Sequence, residues 1–286
     1  MKKLSFITVM LAVLTIVCFT SVGCKDKKPA TLVDSVASDT VVADTQAMDS
    51  VEKLIEETPM PKAADELFDD FLFNFAANRK LQKQRVHFPL PVYRNGKVIK
   101  QIEKRQWKME HFFMRQGYYT LIFDNKKQIN LVKDTTISHV VVEKIFFKIK
   151  TVQQFVFDRK NGEWMLTAIE YKPIFQNMNA SFLKFYEKFS RDSIYQINSM
   201  AEEVKFTTPD PDDDFSSITG NMMPEQWPDF KPGLIPTGTL YNIIYGQKYS
   251  ESTRKVFMVR GIANGLEIEM VFRRRSGKWL LTEFSC

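Results

Sequence analysis

Residues 155–167 read FVFDRKNGEWMLT, and residues 270–282 read MVFRRRSGKWLLT. Roughly half of the aligned positions are identical, and the second stretch follows the first by 115 residues, counted from Trp164 to Trp279. This spacing is the size of a small domain and is too long for a solenoid repeat. The sequence therefore predicts two related copies in tandem.

Each stretch is predicted to form a β-hairpin. Its two central residues, Asn161-Gly162 in the first copy and Ser276-Gly277 in the second, suit a tight turn that needs positive φ. The register that follows places an arginine opposite the tryptophan of each copy: Arg159 with Trp164, and Arg274 with Trp279. Such an arginine either stacks on the indole and stabilises the hairpin or binds an anion.

Aromatic residues at helical spacing begin each copy. Phe68, Phe71 and Phe75 recur 114 positions later as Phe182, Phe185 and Phe189. This spacing places three rings on one face of a helix, which indicates a helix packed on an apolar surface. We predict first-copy helices at residues 64–84 and 104–115, and strands at residues 118–123, 138–147, 152–159, 164–171, 240–245, 254–263, 266–274 and 279–284. Helices followed by an antiparallel meander are typical of the α+β class.

The first 24 residues carry a targeting pattern. Lys2 and Lys3 precede an apolar run at residues 4–19 that is short for a spanning helix, and small residues lead to Cys24. The pattern resembles a bacterial lipoprotein signal, although Ser21 stands where an aliphatic residue is usual. The resemblance implies that residues 1–23 are removed and that Cys24 is the lipid attachment site, so the chain is anchored without spanning the membrane. The alternative is an ordinary secretory signal with a chance cysteine.

Residues 24–62 are predicted to form a disordered acidic tether. No aromatic residue occurs between Phe19 and Phe68, and aspartates recur at every fifth position from Asp34 to Asp49. Such a segment has too little apolar bulk to fold. Three triplets in it resemble the Asp-Ser/Thr-aliphatic acceptor of O-glycosylation in Bacteroidetes-type bacteria, which makes these hydroxyls candidate glycosylation sites: Ser35, Thr40 and Ser50.

The chain is basic overall, with a formal net charge of +6, but its lysines and arginines mostly alternate with apolar residues. A nucleic-acid-binding protein would cluster them along one helix or groove, so nucleic acid is not an expected partner. The sequence shows no phosphate loop, metal-ligand spacing or catalytic motif, and we predict no cofactor, no metal site and no catalytic residue. His111, Tyr118 and Tyr119 are the candidate pocket residues, because a helix bearing Trp, Phe and His could line a pocket.

The helix-then-meander copies resemble the nuclear transport factor 2-like, cystatin-related fold, in which helices cover the concave face of a bent sheet and leave a pocket. With the lipoprotein signal, the acidic tether and the repeated Gly-x-Trp hairpins, they resemble an uncharacterised lipoprotein family of Bacteroidetes-type bacteria, classed as a domain of unknown function. The resemblance implies two tandem cone-shaped domains, residues 63–173 and 178–286, each with amino-terminal helices packed on a curved antiparallel sheet. It implies no known activity.

Two functions remain open from the sequence. The first is an envelope lipoprotein, in the outer membrane and facing the periplasm, whose cone pocket or interdomain groove binds a small apolar ligand, a glycan or an envelope protein. The second is a small-molecule enzyme of isomerase, dehydratase or hydrolase type with a site in one cone. A pocket holding an ionisable pair would favour the enzyme, and a cone filled by Phe and Met would favour partner binding.

We expect the functional site where the two copies differ, because the hairpins that they share form the common structural framework of both. The differences that stand out are the Pro-rich and acid-rich insert at residues 207–236 and the segment bearing His111. Oligomeric state and exposure at the cell surface stay open at this point.

Overall fold

The computed structural model describes residues 59–210, 212–247 and 252–286, all within one compact unit. The predicted signal peptide and the tether up to residue 58 lie outside the described residues. The predicted modification sites lie outside them too: Cys24, Ser35, Thr40 and Ser50.

In its described residues, the first copy consists of two helices and six strands. The helices are α1 (Phe68–Ala77) and α2 (Arg79–Arg85), and the strands are β1 (Leu90–Arg94), β2 (Lys97–Ile102), β3 (Tyr118–Phe123), β4 (His139–Phe146), β5 (Thr151–Lys160) and β6 (Glu163–Pro173). Short 3-10 turns lie at Lys62–Asp65, Lys104–Gln106, Lys126–Lys133 and Ile174–Gln176.

The second copy repeats this order and adds one short helix. It runs α3 (Ala180–Phe189), α4 (Ser193–Ile197), β7 (Met200–Asp210), β8 (Asp213–Met222), a 3-10 turn (Pro224–Gln226), α5 (Trp227–Phe230), β9 (Thr239–Ile244), β10 (Arg254–Gly261), β11 (Glu267–Arg275) and β12 (Lys278–Ser285). The sequence repeat is therefore also a repeat of structural elements.

The eight predicted strands are all found, with ends within two residues of the prediction. The helix predicted at residues 64–84 is interrupted at Asn78, whose extended backbone ends α1 and whose side-chain oxygen accepts from Leu81 N at 2.9 Å to cap α2. The helix predicted at residues 104–115 is wrong. The only helical turn that the structure describes in this range is the 3-10 turn at Lys104–Gln106. Phe112 has a φ of +49°, which a continuing right-handed helix does not allow.

The twelve strands of the described residues form one sheet in the order β2-β1-β6-β5-β4-β9-β3-β10-β11-β12-β7-β8. From one edge of the sheet inward, the strands of the first copy follow the order β2-β1-β6-β5-β4. From the opposite edge inward, the equivalent strands of the second copy follow the same order, β8-β7-β12-β11-β10. The two central strands are exchanged, because β9 of the second copy pairs with β4 and β3 of the first copy pairs with β10. Each copy therefore completes the half-sheet of the other.

The exchanged strands meet at the centre of the sheet, where Thr120 of β3 lies opposite Asn242 of β9 in parallel orientation. The Thr120 hydroxyl also donates to the Tyr241 carbonyl at 3.0 Å. The sheet thus crosses the join that the sequence predicted at residues 173–178. Whether either copy is a domain on its own stays a prediction.

The sheet is mixed, whereas the sequence predicted an antiparallel one. β1 runs parallel to β6, and β7 runs parallel to β12. The chain path gives the reason, since Val86 after α2 forms a parallel bridge with Leu166 and the chain continues into β1 in the direction of β6. The α+β class is confirmed, and the strands that the sequence did not predict are β1, β2, β7 and β8.

Each half of the sheet carries an aromatic core. In the first half, the centroids of the Phe68, Phe71 and Phe75 rings lie 5.3, 5.9 and 5.4 Å from that of Phe157. In the second half, the centroids of Phe182, Phe185 and Phe189 lie 5.3, 5.4 and 5.2 Å from that of Phe272. These equivalent distances confirm the repeat in three dimensions. The rings of both sets lie between helix and sheet and are buried.

A buried glutamine ties the helices to the following segment in each copy. Gln82 Nε2 donates to the Phe75 carbonyl at 2.8 Å, and Gln82 Oε1 accepts from Trp107 Nε1 at 3.1 Å. The second copy repeats both bonds, from Gln196 to Phe189 at 2.7 Å and from Trp227 to Gln196 at 2.9 Å. Both donors and both acceptors are buried, so each bond is needed to avoid an unsatisfied polar group.

Candidate functional site

In the first copy, the hairpin tryptophan is covered by residues of the same chain. Arg159 lies opposite Trp164, as predicted, with its guanidinium carbon 4.8 Å from the centre of the indole. The same guanidinium donates from Nη2 to the carbonyls of Asp65 and Glu66, the latter at 2.7 Å. Its Nη1 donates to the Thr135 carbonyl at 2.7 Å. Arg159 therefore holds the turn before α1 against the hairpin.

Asp65 completes this cover. Its carboxylate accepts two N–H groups of Arg85 at 2.9 and 2.8 Å and the backbone N–H of Trp164 at 3.1 Å. Each side chain of the ion pair is 11% exposed. A bidentate pair that is largely shielded from water and has an added backbone donor is among the stronger polar contacts in proteins. We call residues 61–67 the covering segment.

The second copy keeps the hairpin pair but lacks the contacts that Asp65 makes in the first, and its tryptophan, Trp279, is buried with its indole N–H donating to Ser181 Oγ. Arg274 lies opposite Trp279, as predicted. The position equivalent to Asp65 holds Asn179, whose Oδ1 accepts from Lys255 Nζ at 2.7 Å. The hairpin face is open, and with α3 and the turn after α4 it forms a cleft of about 740 Å³, which we call the second-copy cleft.

Four cations and no acidic side chain line the second-copy cleft: Lys184, Lys188, Arg274 and Lys278. Where the three lysines stand, the first copy has Asp70, Asn74 and Glu163. Among the described residues, no carboxylate lies within ion-pair distance of any of the four cations. The cleft therefore carries positive charge that nothing described neutralises, and it favours a negatively charged ligand.

Two of the predicted pocket residues, Tyr118 and Tyr119, face different cores. Tyr118 packs against the core of the second half, whereas Tyr119 is buried in the core of the first. They diverge because successive residues of a strand face opposite sides of the sheet. His111 is half-buried in the segment before β3, where its carbonyl accepts from Met114 N at 3.0 Å. None of the three lines the second-copy cleft.

Tyr119 belongs instead to a cluster around one carboxylate. Its hydroxyl donates to Asp69 Oδ2 at 3.1 Å, and the Tyr245 hydroxyl donates to Asp69 Oδ1. Burial raises the pKa of the Asp69 carboxyl, while the two phenol donors and the nearby Arg260 oppose that rise. Burial, together with the charge of Asp69, raises the pKa of Tyr119 and of Tyr245. The cluster joins α1 to the exchanged strand β3 and to the end of β9.

Comparison with known proteins places the chain in a family. The family model for the Domain of unknown function (DUF4348) matches residues 47–286. The chain belongs to this family. It is also similar to the crystal structure of a nuclear transport factor 2-like protein from Bacteroides fragilis NCTC 9343, with 42% identity and a TM-score of 0.72 over 79% of this chain and 98% of that chain. No curated protein matches it.

The likeness supports a nuclear transport factor 2-like fold for this DUF4348 chain and brings no activity with it. Within residues 59–210, 212–247 and 252–286, no three His, Cys, Asp or Glu side chains are grouped so that they could hold a metal ion. No helix in the same part of the chain has the length and apolar character needed to cross a membrane.

The second-copy cleft lies outside both places that sequence comparison pointed to. Residues 207–236 form most of the β7–β8 hairpin and α5, and His111 lies in the other copy. The signal that locates the cleft is subtler, since Lys184 and Lys188 replace Asp70 and Asn74 at equivalent helix positions. The missing cover could not be read from the sequence, because Asp65 acts through contacts with residues 20 and 99 positions away.

Proposed function

We propose that this chain is a lipid-anchored envelope protein that binds a partner protein through the second-copy cleft. The lipoprotein pattern ending at Cys24 supports the anchor, with residues 1–23 as the signal peptide and the outer membrane, facing the periplasm, as the location. In this proposal each half-sheet, with its helices and the strand received from the other copy, is one cone of the nuclear transport factor 2-like type.

The observation that carries the proposal is that aromatic rings fill the space between helix and sheet in both halves, while the second-copy cleft is open. Phe71, Phe75 and Phe157 occupy the space under α1, and Phe182, Phe189 and Phe272 occupy the space under α3, all of them almost completely buried. A small apolar ligand would have to displace these rings. The four unneutralised cations of the cleft favour an anionic partner over a neutral glycan.

Site-specific photo-crosslinking in the native cells tests the partner-binding function. A photoreactive residue at Lys278 is expected to give a discrete protein adduct, and the same residue at the equivalent Glu163 is expected to give none, because the covering segment occupies that face. The adduct should be lost with Arg274→Ala and kept with Arg275→Ala. Adducts of the same size from both positions, or none from Lys278, would refute the use of the cleft.

An intact-mass measurement on the protein from its native cells tests the anchor and the tether. Cleavage before Cys24 with added acyl chains is the expected result, and Cys24→Ser should abolish the acyl mass. Further hexose-sized increments that disappear when Ser35, Thr40 and Ser50 are replaced by alanine would support glycosylation of the tether. A mass equal to the uncleaved polypeptide would refute the anchor.

A second candidate function, a small-molecule enzyme, is favoured by the Asp69 cluster. A carboxyl of raised pKa between two phenols has the chemistry of a general acid or base. Its test is turnover of nitrophenyl ester and phosphate ester substrates by the wild type and by Asp69→Asn. Activity that Asp69→Asn abolishes while the protein stays folded would favour the enzyme over the binding function.

A further inference from the structure

We infer that the second-copy cleft binds an acidic peptide segment of a partner protein, in the pose that the covering segment adopts over Trp164 in the first copy. This inference rests on the proposed function and names the chemistry of its partner. The chain itself supplies the template, because the first copy holds an acidic segment on the hairpin and the second copy, in its described residues, has the same hairpin without the contacts of that segment.

The template defines what the peptide would contact. In the first copy the arginine opposite the tryptophan receives two successive backbone carbonyls, those of Asp65 and Glu66. The side chain of the first of these residues accepts the tryptophan backbone N–H. An acidic segment in a 3-10 turn therefore meets the hairpin, with two successive carbonyls on the arginine and a carboxylate on the backbone N–H of the tryptophan.

The second copy retains the receiving groups. Arg274 and Trp279 hold the same cross-strand positions as Arg159 and Trp164. The backbone N–H groups of the two arginines also make equivalent hydrogen bonds: Arg159 N donates to Ser138 O, and Arg274 N donates to Thr253 O. Among the described residues, no side chain accepts the backbone N–H of Trp279, and no carbonyl accepts the Arg274 guanidinium.

The main difference between the copies lies in the charge around the hairpin. In the first copy a single arginine, Arg85, neutralises Asp65 from within the chain. In the second copy Ser199 replaces that arginine, and Lys184, Lys188 and Lys278 surround the open face. Three lysines beside Arg274 can accommodate a segment carrying more than one acidic residue. The first copy would not compete for such a peptide, because its own covering segment is present at high effective concentration.

The covering segment also supplies the probe. A fluorescein-labelled peptide of residues 60–67, MPKAADEL, is titrated into the full-length chain in detergent, and binding is followed by anisotropy. We expect saturable binding of one peptide per chain that weakens with salt. The peptide carrying Asp65→Asn and Glu66→Gln should bind roughly tenfold more weakly, because it lacks the charge-assisted contacts.

Two protein variants locate the site. Arg274→Ala should weaken binding roughly tenfold, whereas Arg275→Ala should change it by about twofold at most. Arg275 is the matched control, because it carries the same charge on the same strand but lines a different cleft on the other face of the sheet. Lys278→Glu gives the charge of the first copy at an exposed turn position, where it cannot disturb a core, and should also weaken binding.

Equal weakening by Arg274→Ala and Arg275→Ala would overturn the inference, because it would show only a general electrostatic attraction. Equal binding of the acidic and the amide peptides would overturn it too. Displacement of the peptide by millimolar inorganic phosphate, but not by sodium chloride of equal ionic strength, would show a site for free or lipid-borne phosphate instead. If the peptide fails to bind while the adduct from Lys278 forms in cells, the partner class is wrong but the binding function stands.

Discussion

Glu143 and Asn242 lie directly opposite each other on strands β4 and β9, which come from different copies, and Asn242 Nδ2 donates to Glu143 Oε2 at 3.0 Å. The Glu143 side chain is completely buried, and its other oxygen accepts from Gln154 at 2.9 Å and Asn177 at 2.7 Å. At the equivalent place in the other half, Met258 lies opposite Leu121. At this position, therefore, one seam of the strand exchange holds a polar pair and the other an apolar pair.

We predict that Glu143→Gln flattens the pH dependence of stability. Burial raises the pKa of Glu143 above its ordinary value of 4.5, although three amide donors and the nearby Lys172 oppose the rise. A carboxyl with a raised pKa in the folded state contributes stability that is present below the unfolded pKa and is lost as pH rises through the folded pKa. The variant lacks this loss, because its amide does not ionise.

The measurement is urea unfolding of wild type and Glu143→Gln at pH 5 and pH 8. The carbonyl of the variant can still accept from Gln154 and Asn177. Its amide can donate to Asn242 Oδ1, which has no partner among the described residues, once the Asn242 amide turns over to exchange Nδ2 for Oδ1. Identical changes in unfolding free energy between the two pH values would show that Glu143 does not titrate in this range.

The same substitution at the two equivalent arginines should have different costs. Arg159→Ala removes bonds to three carbonyls and the stacking on Trp164, and we expect it to lower the free energy of unfolding by about 2–3 kcal/mol. Arg274→Ala acts in the open cleft and should cost less than about 1 kcal/mol. Chemical denaturation measures both. Equal costs would mean that the second-copy cleft is covered in solution.

The strand exchange predicts that the two copies depend on each other. Tyr241, Ile243 and Tyr245, on and just after β9, are part of the first core, and Ile122 of β3 is part of the second. Fragments of residues 47–176 and 177–286 should therefore co-purify as a one-to-one complex when co-expressed, since each supplies a strand to the other. Size-exclusion chromatography with light scattering makes the measurement. Two separate, stably folded monomers would contradict the exchange.

The sequence was informative wherever a feature is local. The hairpin register was predicted correctly, because Asn161-Gly162 and Ser276-Gly277 form two tight turns, and the two central residues of each have positive φ in the structure. The exchange was not predicted, because β3 has an apolar pattern that suits either β4 or β10 as a neighbour. The polar strand β8 was missed for a related reason: an edge strand buries too little to show a periodic pattern.

In the candidate site, too, the local features were predicted from the sequence and the long-range contacts were not. The Arg274–Trp279 pair came from the repeat itself, and an anion-binding arginine was one of its two sequence interpretations. The structure keeps the stacking interpretation for Arg159 and leaves the other open for Arg274. What decides between them is Asp65, which is close to Trp164 in space but 99 residues away in the chain. Such long-range contacts carry no local sequence pattern.

The indole signals of the four tryptophans test the central claim, that the second-copy cleft is the binding site, most directly. The indole N–H groups lie in distinct surroundings, since Trp107 and Trp227 donate to buried glutamines, Trp279 donates to Ser181 Oγ at 3.3 Å, and Trp164 Nε1 has no partner among the described residues. In a ¹⁵N–¹H correlation spectrum, the acidic peptide of residues 60–67 is predicted to shift the Trp279 indole signal and to leave the other three in place. A shift of the Trp164 signal with no change at Trp279, or no shift of any indole at saturating peptide, would contradict the account.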